Sequence, residues 1–502
     1  MSGYVQGLHR SQQILLPDTL DDYVTEENPV RFIDAFVNNL DLGAMNFTHS
    51  KTKDTGRPPY DPADLLKLYL YGYLNHTRSS RRLERECQHN LEVMWLLKKL
   101  SPDFKTIADF RSANATTIRS VFREMVELLK ALDLVDRGFV AIDGSQFQAV
   151  NSPKRHYSRK DIQERIGQTD AQVDRYLKEL DENDKKEAGE VQLPNRIENL
   201  KGKIAELKKR QQRNRETLVE METSGELARS LTDPDCRKMF DYGEMVMAYN
   251  TQISVEAKNK LIVDYDVTNS GSDEKQLARM AGRAKEVLDT DHLEVVADKG
   301  YYSAEQIVLC NEQGIIPYVA NRGEARAQGK RWGMTPEFSI ERFVYDPLKD
   351  SYTCPRGELL TPTAKYSITK DRGFRGKGWK KYRTLACKSC PEFKTRCSHD
   401  RDGRLIWRRE HEDLLDETKA RITSEEGRRR LDLRSQLVEH PFGTLKRWYG
   451  GGHLLLKGLR KVSGETGLML TAYNMRRVLN IVGVRKLMAH LEIRPKNHFS
   501  TS

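Results

Sequence analysis

Two short apolar runs, each meeting an aspartate at its end, constrain this chain more than any other feature of its sequence. The run FVAI at 139–142 is interrupted by Asp143, and the run LEVVA at 293–297 is followed by Asp298. Short runs of this composition are typical of strands buried inside a sheet. Because a charge is costly to desolvate unless something pairs with it, both aspartates are candidates for a functional site.

The segments around these runs predict a mixed α/β domain. The alternating segments 244–257 and 260–269 predict a β-hairpin. Three further elements follow it: a helix at 273–288, the strand that ends at Asp298, and a helix from Ser303 that leads into the strand GIIPYVANR. This order matches the ribonuclease H-like architecture, in which the first and fourth strands lie side by side. Asp143 and Asp298 are then neighbours in space.

The rest of the chain divides into segments of different character. We predict a helical N-terminal DNA-binding domain (1–135), a ribonuclease H-like core (136–157 and 240–324), a helical hairpin insertion (158–230), a basic cysteine-containing β-rich insertion (325–410) and C-terminal helices that complete the core (411–490). The hairpin prediction comes from heptad-spaced apolar residues, with Pro194 opening the second arm. In the N-terminal domain, one helix carries Arg78, Arg81, Arg82 and Arg85 near its start. That pattern is compatible with a helix-turn-helix-like DNA reader and equally with a solvated arginine face.

A third carboxylate is expected on a late helix, and Glu439 is the candidate. Carboxylates at adjacent strand ends can hold Mg²⁺, and two such ions about 4 Å apart can activate the attacking oxygen and stabilise the leaving oxygen in phosphodiester cleavage. Pro441 is tolerated in the first turn of a helix, so we expect Glu439 near a helix start. Lys446, two turns later on the same face, could meet a phosphate backbone. The alternative is a solvated Glu/Lys pair on a surface helix.

Four late cysteines predict a structural Zn²⁺ site: Cys354, Cys387, Cys390 and Cys397. His399 could replace one thiolate, and the alternative is free cysteines in a β-rich segment. Between them runs the basic, aromatic segment KDRGFRGKGWKKYR at 370–383. Such a segment can follow phosphates while aromatic rings stack on bases, although a solvated hairpin tip is the alternative. The candidate DNA contacts within it are Arg375, Lys377, Trp379, Lys380 and Lys381.

Composition limits the partners and the compartment. The 84 Lys and Arg residues exceed the 73 Asp and Glu residues by 11, which suits a polyanionic partner. No apolar stretch is long enough to cross a membrane, and the N-terminus lacks an apolar signal core. Seven cysteines in 502 residues do not make a disulfide framework. We therefore expect a cytoplasmic protein without a membrane partner, associated with the nucleoid if its polyanionic partner is DNA.

Four motifs together resemble bacterial insertion-sequence transposases of the DDE type: AIDGSQ, VVADKGYYS, VEHPFGTLKRW and LTAYNMRRVLNIVG. The resemblance implies that Asp143, Asp298 and Glu439 form the metal-binding triad and that Lys446 contacts the transposon end. The family pattern has an arginine four residues before the glutamate, where this chain has Ser435, with Arg434 one position earlier. The tyrosine that precedes it in the family signature is not evident.

The expected activity is therefore DNA transposition with two Mg²⁺ or Mn²⁺ ions. Water would cut the element's end, and the freed 3′-hydroxyl would attack target DNA. Lys299 and Arg434 are added to the expected DNA contacts. Because two ends of double-stranded DNA must be handled together, we expect a homodimer or a larger assembly. The alternatives are a ribonuclease H-like nuclease without strand transfer, a transposase-derived DNA-binding regulator, and a zinc-stabilised structural protein.

Overall fold

The structure of the protein is a computed structural model. It describes residues 19–51, 58–150, 156–186, 194–226, 228–241, 243–320, 335–367, 379–409, 411–448, 450 and 452–493. The chain folds into two compact units. The first takes in 1–129, 147–249 and 445–502, and the second takes in 130–146 and 250–444.

The described residues contain helices and strands in alternating groups. The helices are α1 (Pro29–Asn38), α2 (Pro62–Leu74), α3 (Ser80–His89), α4 (Leu91–Leu96), α5 (Phe104–Ala113), α6 (Ile118–Ala131), α7 (Arg159–Lys186), α8 (Pro194–Ser224), α9 (Leu277–Leu288), α10 (Ala304–Glu312), α11 (Glu412–Thr423), α12 (Glu425–Trp448), α13 (Leu459–Val482) and α14 (Val484–Ile493). The strands are β1 (Phe139–Gln148), β2 (His156–Ser158), β3 (Ala228–Ser230), β4 (Arg237–Asp241), β5 (Glu244–Glu256), β6 (Ile262–Thr268), β7 (Leu293–Ala297), β8 (Ile315–Val319), β9 (Val344–Asp346), β10 (Ser351–Thr353), β11 (Leu359–Ser367), β12 (Trp379–Arg383) and β13 (Ile406–Arg409).

The first two helices of the first unit begin at side-chain caps. The side chain of Asn28 accepts a hydrogen bond from the Val30 N–H at the start of α1. The side chain of Asp61 does the same for Ala63 at the start of α2. Both helices have proline in their first turn, where its missing N–H costs nothing. Helix α2 is buried along almost its whole length, so it forms the centre of this helical group.

The arginines at the start of α3 have different environments. Arg81, Arg82 and Arg85 are exposed. Arg78 instead donates a hydrogen bond of 2.6 Å to the His453 carbonyl oxygen and lies 3.7 Å from the Glu465 carboxylate. Arg78 is therefore engaged within the first unit, and Arg81, although exposed, lies over the ring of Phe104.

The heptad pattern at 158–223 forms a pair of helices, α7 and α8, and Pro194 is the first residue of α8 as predicted. The helices run antiparallel, because Arg215 lies 3.7 Å from Asp170 while Lys203 lies over the ring of Tyr176. Apolar residues including Val173, Leu200 and Ile204 are buried. The polar side chain of Asn214 is also buried.

A mixed sheet organises the second unit. Its strands lie in the order β6-β5-β1-β7-β8. Strands β5 and β6 form the predicted antiparallel hairpin, and β7 is parallel to both β1 and β8. Helices α9 and α10 are the predicted crossovers on either side of β7, and Ser303 caps α10. The prediction that the first and fourth strands of this domain lie side by side is confirmed by the pairing of β1 with β7.

The segment predicted to be β-rich forms a second sheet, with the antiparallel order β13-β12-β11-β10-β9. Its core is small and aromatic: Phe343, Tyr352, Leu360, Tyr382 and Ile406. The side chains of Cys354 and Cys397 pack against this core. Two of the four predicted zinc ligands therefore lie beside the same apolar cluster.

Helices α11–α14 follow this second sheet. Helix α13 is largely buried in the first unit, and its Glu465 accepts hydrogen bonds from the backbone N–H groups of Leu455 and Leu456. Among the described residues, no helix combines the length and the apolar character needed to cross a membrane.

Candidate functional site

Asp143 and Asp298 occupy matching positions on neighbouring parallel strands. Ile142 of β1 pairs with Ala297 of β7, so the two aspartates come next at the same edge of the sheet. Asp298 directly follows β7 and precedes a single 3-10 turn, Lys299–Tyr301. The expectation that Asp143 interrupts its strand is wrong, because β1 continues through it to Gln148. The strand continues because the sheet supplies pairing beyond the buried run, which the local pattern does not reveal.

Arg434 of α12 lies between the two aspartates. Its Nη1 is 3.7 Å from Oδ2 of Asp143, and its Nη2 is 3.8 Å from Oδ1 of Asp298. At these distances the contacts are ion pairs rather than short hydrogen bonds. Arg434, which the sequence predicts to contact DNA, therefore lies where it partly neutralises the two carboxylates.

Burial dominates the electrostatic environment of Asp143. Burial raises the pKa of Asp143 to about 6, although the Arg434 guanidinium and the Gly144 N–H oppose the shift. The carboxylates of Asp273 and Asp298 raise the pKa further. A carboxylate with a raised pKa at a strand end favours binding of an additional cation.

A polar network that the sequence analysis missed lies beside the aspartate pair. Oδ1 of Asp273 accepts hydrogen bonds of 2.7 Å from the side-chain amides of both Asn250 and Gln252. The Gln252 amide also donates to Oδ1 of Asn250 at 3.0 Å, and its own oxygen accepts from the Tyr301 hydroxyl. The signal in the sequence was the appearance of Asn250 and Gln252 at alternate positions of the strand AYNTQIS, which is otherwise largely apolar.

Glu439 is not near a helix start. Helix α12 begins at Glu425, and Pro441 lies inside it. The expectation was wrong because proline can be kept within a helix when tertiary packing outweighs its cost of roughly 3 kcal/mol. Here four apolar neighbours on the same helix are buried: Leu437, Val438, Phe442 and Leu445.

The structure assembles two of the three predicted carboxylates. Glu439 is exposed, while Arg434 on the same helix faces the aspartates. Within the described ranges, no three Asp, Glu, His or Cys side chains come close enough together to hold one metal ion. The predicted role of Glu439 as third ligand therefore stays a prediction.

Lys446 is engaged within the first unit. Its Nζ lies 3.3 Å from Oδ1 of Asp241 and above the ring of Phe147. The two side chains of the ion pair are only 12% and 8% exposed. Because this ion pair is largely buried, Lys446 neutralises the Asp241 carboxylate within the first unit. Its predicted contact with DNA would be a second role.

The other predicted DNA contacts have varied environments. Lys299 is exposed in the turn after Asp298. On β12, Lys380 forms a 2.8 Å ion pair with Asp350, and Lys381 lies over the ring of Trp407. Trp379 is also on β12, and Arg375 and Lys377 lie outside the described residues.

The four predicted zinc ligands are free thiols gathered beside the second sheet. Backbone N–H groups of Arg356 and Glu358 each point at the Cys354 sulfur from 3.4 Å, in a turn that contains Gly357 at positive φ. Burial raises the pKa of Cys397 to about 11, and the three other thiols raise it further. The four sulfurs thus lie within electrostatic reach of one another, without closing into a described metal site.

Two family models match the chain. The model described as Transposase domain (DUF772) matches residues 18–113, which contain α1–α5. The model described as Transposase DDE domain matches residues 353–479, which contain Arg434, Glu439 and Lys446. A search of curated proteins found no match. With one model covering the N-terminal helices and the other the region of the late glutamate, the chain is identified as a DDE-type insertion-sequence transposase, an enzyme of DNA transposition.

Proposed function

We propose that the enzyme cuts the ends of its own DNA element by hydrolysis and joins the freed 3′-hydroxyl to target DNA, using a ribonuclease H-like core. The observation that supports this most directly is the pairing of β1 with β7, which brings Asp143 and Asp298 to one sheet edge. The strand order β6-β5-β1-β7-β8 agrees with that core. The +11 charge of the chain agrees with a DNA partner.

The aspartate pair has the donor chemistry of a divalent-cation site. Carboxylate oxygens are the ligands Mg²⁺ and Mn²⁺ prefer. The raised pKa of Asp143 reflects its burial and the neighbouring carboxylates of Asp273 and Asp298, and a bound cation would offset both. The position of Arg434 between the carboxylates supports this proposal, because it places one positive charge there already. Asp143 and Asp298 would hold the ions, with Glu439 as the third ligand.

Divalent ions bound there would activate the attacking oxygen and stabilise the leaving oxygen. The chain's own residues supply the rest. Asp143 and Asp298 fix the position of positive charge at the sheet edge, and Arg434 offers a guanidinium that can turn from the carboxylates to the scissile phosphate. Because the same carboxylates serve both steps, no covalent protein–DNA intermediate is needed.

The test of the third ligand is Glu439→Gln. We expect Mg²⁺-dependent cleavage of DNA carrying the element's ends to fall by more than about 100-fold, because even outer-shell partners of a metal are worth about 10- to 100-fold. Binding of the same DNA should persist. Asp432→Asn is the matched control, since Asp432 is an exposed acidic residue two turns earlier on α12. Equal cleavage by the Glu439→Gln variant and the intact enzyme would remove Glu439 from the proposed triad.

Strand-transfer products separate this function from its rivals. A nuclease of the same fold would release a 3′-hydroxyl without joining it to target DNA. A transposase-derived regulator would bind the ends without cutting them. The assay therefore follows cleavage and joining on one labelled end substrate. Because two ends are processed together, we further propose that the active form on DNA is a homodimer or a larger assembly.

We also propose a structural Zn²⁺ held by Cys354, Cys387, Cys390 and Cys397. The two N–H groups aimed at the Cys354 sulfur support it, since they would stabilise a thiolate. Elemental analysis should find about one zinc per chain, and Cys390→Ser should lower both the zinc content and the melting temperature. Cys310→Ser is the control, because Cys310 is a buried cysteine outside this group. The proposal is contradicted if the purified protein contains no zinc and Cys390→Ser melts at the same temperature as the intact protein.

A further inference from the structure

Gln252 contacts the chain next to both aspartates of the site. Its amide nitrogen packs against Gly144, the residue after Asp143, so closely that a Cβ on Gly144 would lie 2.1 Å from it. Its amide oxygen accepts a hydrogen bond from Tyr301, whose own N–H donates 2.9 Å to the Asp298 carbonyl oxygen. One side chain therefore contacts β1 directly after Asp143 and the turn that follows Asp298.

The amide of Gln252 has little freedom to move. Gln252 and its partners Asn250 and Tyr301 are fully buried. The amide nitrogen donates to Asp273 and Asn250, and the amide oxygen accepts from Tyr301, so both ends of the group are satisfied. A buried amide whose donors and acceptor are all engaged cannot rotate without leaving polar groups unpaired.

We infer that Gln252 is a positioning residue that sets the spacing of Asp143 and Asp298 for cation binding. This rests on the proposed function of that pair. Gln252 links the backbone after one aspartate to the turn after the other, and Asp273 anchors it from the solvent side. It also accounts for Gly144, since any side chain there would push the amide out of place.

The test measures Mn²⁺ binding to the full-length protein without DNA, by electron paramagnetic resonance. Gln252→Met removes the amide and keeps a similar volume, and we expect the dissociation constant to rise about 10- to 100-fold. Tyr301→Phe removes only the hydroxyl and should weaken binding several-fold. Ser254→Ala is the matched control, because Ser254 is buried on β5 two residues further along and its hydroxyl has no partner among the described residues.

The outcomes separate this inference from the function on which it rests. A purely structural role for Gln252 would lower the number of Mn²⁺ sites per chain while leaving their affinity unchanged, which overturns the inference. The inference is also overturned if Gln252→Met and Tyr301→Phe both bind Mn²⁺ with wild-type affinity while Asp143→Asn binds none. If Asp143→Asn binds as tightly as the intact protein, or if neither binds, the proposed cation site fails and the inference fails with it. Should Gln252→Met not fold, Tyr301→Phe decides alone.

Discussion

Replacing Asp143 with asparagine should reduce Mg²⁺-dependent cleavage of end DNA by more than about 100-fold, a larger loss than an outer-shell change would cause. The substitution keeps the shape of the side chain and removes the charge that the site needs. Burial already raises the pKa of Asp143 to about 6, so a neutral amide relieves a costly buried charge. The variant should therefore remain folded, and DNA binding should be retained.

Asp289→Asn is a matched control for this prediction. Asp289 is exposed in the same unit and adopts a left-handed backbone conformation with φ of 51°, which asparagine tolerates. The same chemical change there should leave cleavage at the wild-type rate. Wild-type cleavage by Asp143→Asn would show that the aligned strand ends are not the catalytic centre.

Lys446→Met should destabilise the first unit by about 3 kcal/mol, because it leaves the Asp241 carboxylate covered and unpaired. Chemical denaturation of the intact chain measures this loss. The double variant Lys446→Met/Asp241→Asn should recover most of it, since no charge is then left without its partner. A single variant as stable as the wild type would mean that the ion pair is a minor contact.

The same pair separates stability from DNA binding. Asp241→Asn keeps the lysine charge, so an enzyme that uses Lys446 on a phosphate should bind end DNA at least as well with this substitution. Lys446→Met should then bind more weakly, with a log–log salt dependence shallower by about one. If Asp241→Asn and Lys446→Met bind end DNA with equal affinity and equal salt dependence, Lys446 serves only in the ion pair with Asp241.

The sequence predicted the parts of the site that depend on short-range pattern. Apolar runs located β1 and β7, and the chain order of elements placed them side by side, as the register of Ile142 with Ala297 confirms. The serine at position 303 located the start of α10, which begins at Ala304. Burial of a run and capping of a helix are decided within a few residues, which is why they can be read from sequence.

Other parts depended on tertiary contacts that no local pattern encodes. Pro441 stays inside α12 because neighbouring apolar residues are buried, and this moved the predicted helix start by 14 residues from Glu439 to Glu425. Gln252 on β5 and Asp273 between β6 and α9 are 21 residues apart, and they meet only when the segment after β6 folds back beside β5. Arg434 reaches the aspartates from a helix nearly 300 positions away from Asp143.

The guanidinium between the two aspartates reduces the negative charge at that edge of the sheet without reversing it. Two carboxylates and one guanidinium sum to 1 − 2 = −1 when all three are ionised. A phosphodiester approaching this trio meets net repulsion, and added positive charge reverses it. Binding of cations and binding of the DNA backbone at this edge are therefore coupled. The edge attracts a phosphodiester only after bound cations have neutralised its net negative charge.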